Sequence, residues 1–195
     1  MGYELILDTS SKQLAIGIYN GDNLLYKNQY YAWLRQSEMM IPEIQKAIKE
    51  LNINLKEVER IVVSVGPGSY TGVRIALTIA KVMSLTLNIP LITLSSLQAI
   101  AGLDEKCLAI MDARSKRVYI GGYDKGKTIF NDTIFTLDEL NQYLDEHKDY
   151  KVVGELSALG EIDSEINLIE NMHELAKNKE AVKSVHEVKP VYLKD

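Results

Sequence analysis

Short apolar runs separated by tight polar turns open the chain. Glu4 to Asp8 and Gln13 to Tyr19 read as strands joined by Thr9-Ser10-Ser11-Lys12, and a third, Asn23 to Tyr31, follows the turn Asn20-Gly21-Asp22. Three strands joined this way predict an antiparallel meander. The period then changes. Met40, Ile44, Ala47, Ile48 and Leu51 recur at helical spacing, with Ser37 as the expected N-cap and Pro42 placed to kink the helix or delay its start. Ile61 to Val65 reads as a buried strand and Thr71 to Leu87 as a helix. That helix is apolar on nearly every side (Val73, Ile75, Leu77, Ile79, Val82, Met83, Leu85), the pattern of an internal or interface helix. Leu91 to Leu94 is a strand, and Ser95-Ser96 caps a short helix ending near Gly102.

The same order begins again. Cys107 to Met111, Arg117 to Tyr123 and Thr128 to Ile134 read as strands, Leu137 to Glu146 as a helix and Lys151 to Val153 as a strand. Strand-strand-strand-helix-strand therefore occurs twice, which predicts a duplicated α/β unit dividing near Gly102 to Lys106. Met172 to Asn178 is expected to be helical and Val188 to Leu193 extended.

The formal net charge of -5 makes the chain a weak lone binder of nucleic acid, so a partner is expected to supply basic surface. The single cysteine, Cys107, sits in an apolar run and reads as a buried small hydrophobe. One cysteine allows no internal disulfide, which fits a reducing cytosol. No basic n-region precedes the first strand, and Ile6 stands where a myristoylation signal needs Ser or Thr. The longest apolar tract, Leu77 to Leu94, holds Lys81, Asn88 and Pro90, so no membrane span is expected.

The chemistry turns on Ser64-Val65-Gly66-Pro67-Gly68-Ser69-Tyr70-Thr71-Gly72-Val73-Arg74, a glycine loop between strand and helix. A phosphate-binding Walker loop needs Gly-Lys-Ser/Thr, and here Val73 follows Gly72; the dinucleotide fingerprint needs glycine where Thr71 stands. Two readings stay open: Gly66, Gly68 and Gly72 permit a tight turn and close backbone approach, or Gly66, Gly68, Ser69, Thr71 and Arg74 contact an anion with Asp8. Asp8 and Asp112 each end a strand ahead of a turn, where an acid usually caps its own backbone. His147, His173 and His186 lack metal-ligand spacing and are expected at the surface; no metal site is expected. Arg74 and Arg114 flank the candidate cleft elements. Tyr30, Tyr31 and Trp33 gather ahead of the first helix, which Met39 and Met40 open.

Gly66-Pro67-Gly68-Ser69-Tyr70-Thr71-Gly72-Val73-Arg74-Ile75 closely resembles the signature of the TsaB (YeaZ) family. Ile6-Leu7-Asp8-Thr9-Ser10, Ser37-Glu38 with Ile41-Pro42, Met111-Asp112-Ala113-Arg114 with Val118-Tyr119, and Pro190-Val191-Tyr192-Leu193 extend the likeness over nearly the whole chain. The resemblance implies an α/β fold of the actin/Hsp70-like (ASKHA) type with two RNase-H-like lobes, taken as residues 1–103 and 104–195. It implies a non-catalytic, cytoplasmic scaffold or activator subunit in the formation of threonylcarbamoyladenosine at position 37 of tRNAs that read ANN codons. TsaD, the catalytic relative, and the ATPase TsaE would be its partners, tRNA would be reached only through the complex, and the isolated chain would form a homodimer. No cofactor of its own is implied, ATP or ADP being a ligand of the complex interface. TsaD carries a histidine pair on its first helix, and Arg35-Gln36-Ser37-Glu38-Met39-Met40 has none. Actin-like ATPases hold phosphates on Asp-x-Gly-Thr turns, whereas Asp8-Thr9-Ser10-Ser11 and Asp112-Ala113-Arg114-Ser115 lack that glycine. The expected partner interface is Met39, Met40, Ile44, Ala47, Val73, Ala76, Leu77, Ala80 and Met83, with a glutamate at Ala76 or Met83 expected to abolish pairing. An autonomous nucleotide-binding protein, weak ATPase or M22-type peptidase is the alternative.

Overall fold

The computed structural model describes residues 2–193. Met1, Lys194 and Asp195, at the outer ends of the two expected lobes, lie outside the described residues. The meander is β1 (Tyr3–Asp8), β2 (Gln13–Asn20) and β3 (Asn23–Tyr31). Helix α1 (Gln36–Glu50) leads to β4 (Val58–Ser64), which pairs parallel to β1, and α2 (Tyr70–Leu87) leads to β5 (Leu91–Leu94). This sheet has the order β3-β2-β1-β4-β5. Helix α3 (Ser96–Ala101) enters the second unit: β6 (Cys107–Asp112), β7 (Arg117–Asp124), β8 (Lys127–Thr136), α4 (Leu137–Glu146) and β9 (Lys151–Gly154), ordered β8-β7-β6-β9. In both sheets the unit's first strand lies antiparallel to the second and parallel to the fourth. This repeated arrangement is the actin-like fold.

Strand periodicity sorts the core. Leu5 and Leu7 of β1 face α1 and α2, while the intervening Ile6 faces the opposite layer with Ala15 and Val62. That opposite layer holds α3 and the last helix, α5 (Leu168–Ala176). Ala99 of α3 packs toward the first sheet, while Leu97 and Ala101 pack on the second, so α3 is shared between them. Helix α5 returns to the first sheet, with Leu168, Ile169, Met172 and Leu175 buried there.

Beyond α5 the chain runs back along α2. The Val182 amide donates to the Leu91 carbonyl at 2.9 Å, and Lys81 Nζ donates to the carbonyls of His186 (3.2 Å) and Val188 (2.7 Å). Sheet, α1 and this strap account for the apolarity of α2 on most of its sides.

Local expectations need three corrections. Arg35, not Ser37, stands at the N-cap of α1 and makes no side-chain cap bond. The helix runs through Pro42, whose ring lies exposed while Met40, Ile44 and Ala47 anchor the opposite face. Helix α5 starts at Leu168, four residues before Met172. Val188 to Leu193 joins neither sheet, and the Val191 amide donates to the Val65 carbonyl at 2.7 Å.

Candidate functional site

The β1–β2 turn, the glycine loop, the start of α1 and the β6–β7 turn surround a cavity of about 700 Å³ between the two lobes. Each element arrives there because parallel and meander connections both leave from the same end of the central strands.

Asp8 ends β1 fully buried. Its Oδ1 accepts from the Ser10 amide (3.0 Å) and the Ser10 hydroxyl (3.1 Å), and its Oδ2 accepts from Ser64 Oγ. Burial raises its pKa above the ordinary 3.8, against those three donors. Asp8 therefore ties its own turn to β4, and the cavity lies above it.

The glycine loop closes on that turn. The Ser69 amide donates to the Ser10 carbonyl at 2.7 Å. Thr9 Oγ1 donates to the Gly72 carbonyl at 2.6 Å and accepts from the Ala76 amide at 3.1 Å. A Cβ at Gly72 would collide with the Thr9 carbonyl oxygen, and one at Gly68, whose φ is 157°, with the Ser10 carbonyl oxygen. Close backbone approach is what these glycines provide. Ser69 caps α2 by accepting from the Gly72 amide at 3.2 Å.

The opposite wall is built differently. Asp112 is exposed, and its Oδ1 accepts from the Arg114 amide at 2.7 Å, while Glu155 accepts from the Asp112 amide at 2.7 Å. Burial pushes the Glu155 carboxyl up from 4.5, offset by that amide and by Lys12 across the cleft. Arg114, Ser115 and Lys116 all have left-handed backbones, with φ of 60°, 54° and 58°. That course sets the Arg114 guanidinium 5.4 Å from the Trp33 ring centroid of the first lobe.

A second guanidinium meets aromatic rings at the start of α2. Arg74 lies 4.0 Å over the Tyr70 ring and donates from Nε to Tyr192 Oη at 2.5 Å, and the two rings stack at 4.8 Å. The strap delivers Tyr192 to this place.

Of the residues expected to meet an anion, Gly68, Ser69 and Thr71 line the cavity. Arg74 touches the lining residues Tyr70 and Tyr192, while Asp8 is buried beneath and Gly66 packs against Val191. Lys12, Tyr70, Tyr192 and Glu155 also line it, and sequence reasoning missed them as site residues. Tyr192 had a signal only in the terminal Pro-Val-Tyr-Leu, and Glu155 had none. One histidine also needs correction. His173 is buried, stacked 3.7 Å from the Tyr19 ring, with Nδ1 bonded to Glu4 Oε1 at 2.6 Å. His186 is exposed, and His147 packs half-buried on Tyr143.

The expected partner surface needs a larger correction. Met40, Ile44, Ala47, Val73, Ala76, Leu77 and Ala80 are buried within the chain itself, where they hold α1 and α2 on the first sheet. Met39 and Met83 are half-buried. The apolar side chains these helices leave exposed are Ile41, Tyr70, Val82 and Leu85. A glutamate at Ala76 would thus test folding, not pairing.

A family model described as tRNA N6-adenosine threonylcarbamoyltransferase (TsaD) matches residues 32–182. The tRNA threonylcarbamoyladenosine biosynthesis protein TsaB of Bacillus subtilis is 34% identical over 123 residues. The chain belongs to the TsaB/YeaZ family. The Bacillus match covers 61% of this chain and 54% of that protein, so it spans about half the relative's length. TsaB of Buchnera aphidicola from Schizaphis graminum is 27% identical over 155 residues, covering 75% of this chain and 73% of its own. YeaZ of Pseudomonas aeruginosa shares the fold at a TM-score of 0.82 and 21% identity, over 99% of this chain and 100% of that one. Another Pseudomonas aeruginosa structure, described as similar to peptidase YEAZ, superposes at 0.84 with 22% identity over 100% of both chains. Among the described residues, no helix is long and apolar enough to cross a membrane.

Proposed function

We propose that this protein is a non-catalytic subunit in threonylcarbamoyladenosine formation on tRNA, acting by holding the TsaD-type transferase of its own cell in a competent form. One observation carries the reading. In the first lobe, four backbone amides of the β1–β2 turn, the glycine loop and α2, together with the Asp8 carboxylate, are bonded within the chain. The Ser10, Ser69, Gly72 and Ala76 amides donate to Asp8, Ser10, Ser69 and Thr9, and Asp8 accepts from Ser10 on Oδ1 and from Ser64 on Oδ2. Backbone amides engaged in this way have no donor left for an incoming oxyanion.

The partner contact in this reading is the outer face of α1 and α2. Ile41, Val82 and Leu85 are 44%, 58% and 44% exposed, and partly buried Ile75, Ile79 and Met83 join them. A neighbouring pair of helices with such a face is expected to be covered, by TsaD in the complex and by a second copy in isolation. TsaE and tRNA would then be reached through the assembly, and the subunit would work in the cytoplasm.

Size-exclusion chromatography with the transferase of the same organism tests this, using Val82→Glu and Leu85→Glu. Both sites are exposed, so the variants should fold. An unpaired charge in an apolar contact costs several kcal/mol, enough to weaken association at least about a hundredfold. Unchanged co-elution, or ATP turnover by the purified chain that is lost in Asp8→Asn, refutes the proposal.

A further inference from the structure

We propose that the mouth of the interlobe cleft binds an unpaired RNA base, stacked on its aromatic side chains, with the flanking phosphates held by Arg74 and Arg114. This rests on the reading above, that the chain works on tRNA, and adds a direct RNA contact to it. The cleft holds two guanidinium–aromatic units: Arg114 of the second lobe reaching Trp33 of the first across it, and Arg74 with Tyr70 and Tyr192. Tyr70 and Tyr192 stack on each other and remain 58% and 39% exposed at the cleft.

The charges are placed for a phosphate chain. Arg35 and Arg60 are paired with Glu38 and Glu4, but among the described residues no carboxylate forms an ion pair with Arg74 or Arg114. Two acids line the cavity: Asp112 spends Oδ1 on the Arg114 amide, and Glu155 accepts from the Asp112 amide. Stacking on rings with cations alongside is how single-stranded nucleic acid is held without sequence readout. Three successive left-handed residues at Arg114 to Lys116 carry backbone strain, and they point the guanidinium back across the cleft. The aromatic rings are placed to supply the contact to a base.

Trp33 is the only tryptophan and lines the cavity, so its fluorescence reports directly on occupancy. The full-length chain is titrated with a single-stranded RNA decamer, a duplex of the same length, ATP and inorganic polyphosphate. Saturable quenching by the single strand, at least about tenfold tighter than with the other three, supports the site. Arg114→Ala should weaken binding about three- to tenfold and flatten the salt dependence by about 0.7 in log-log slope. Tyr70→Ala should weaken it about five- to a hundredfold. Circular dichroism checks that both variants fold, and Lys179→Ala, far along the strap, should bind as the parent does.

Absence of quenching, equal response to ATP or polyphosphate, or unchanged affinity in both variants overturns the inference. Reconstituted tRNA modification with the transferase separates the two ideas. A parent chain that supports modification without binding RNA refutes this site alone, whereas one that fails to support modification refutes the proposed function.

Discussion

Thr9→Val tests why the glycine loop sits where it does. The buried Thr9 hydroxyl lies astride one rung of α2, donating to the Gly72 carbonyl and accepting from the Ala76 amide. Valine keeps the shape and removes both bonds. At about 1 kcal/mol net for each, the loss is about 2 kcal/mol. Direct closure of Gly72 onto Ala76 would reduce it toward about 1 kcal/mol, and leaving both groups unsatisfied would raise it toward about 4 kcal/mol. In a chain of this size each kcal/mol moves Tm by about 2–4 °C, so a fall of about 4–8 °C is expected. Thermal and urea unfolding would measure it. Thr9→Ser keeps the hydroxyl and loses one methyl, so it should cost about 1 kcal/mol. If Thr9→Val melts with the parent while Thr9→Ser does not, the hydroxyl does not fasten loop to turn, and the tight approach at Gly72 has another cause.

The remaining expectations concern the two cores. Burial, opposed by hydroxyl donation from Ser95 and Tyr123, holds the Asp132 carboxyl above its ordinary 3.8. A raised folded value gives stability that is full below the unfolded pKa and lost as pH rises through the folded one. Asp132→Asn should therefore gain on the parent in melts run from about pH 4 to about pH 7, and parallel profiles would refute the assignment. Burial pushes the Cys107 thiol up to about 12, so at neutral pH a thiol reagent should label it only in denaturant. Ile169 is fully buried and occupies the space a Cβ at Gly17 would need, so Ile169→Ala should cost about 2–5 kcal/mol in denaturant unfolding.

The order of elements was legible because each is signalled locally. Turns such as Asn20-Gly21-Asp22 and the capping residue Ser95 act over a few positions, and the duplicated order follows from listing the elements. The Asp8 and Asp112 turns were legible for the same reason, since an aspartate capping its own turn needs nothing distant. What failed depended on distance. His173 has the polar neighbours of a surface residue, yet Glu4, far away in sequence, receives its Nδ1 and Tyr19 covers its ring. Apolarity around α2 reads as a partner surface when the strap of Val182, Val185 and Val188 cannot be foreseen. The aromatic half of the cleft is hidden similarly, because Tyr70 and Tyr192 meet only through the fold.

One asymmetry explains why two similar lobes carry different turns. In the first lobe β4 is followed by α2, whose start presses on the β1–β2 turn through Gly68 and Gly72 and closes it around Asp8. In the second lobe β9 is followed by a short turn at Leu156–Leu159, and the next α-helix, α5, crosses back to the first sheet. No long helix then presses on the β6–β7 turn. Asp112 stays exposed, the backbone there takes its left-handed course, and Arg114 is free to reach the Trp33 ring. Helix α2 thus seals one turn as structure, while the return of the chain after β9 leaves the other as surface chemistry.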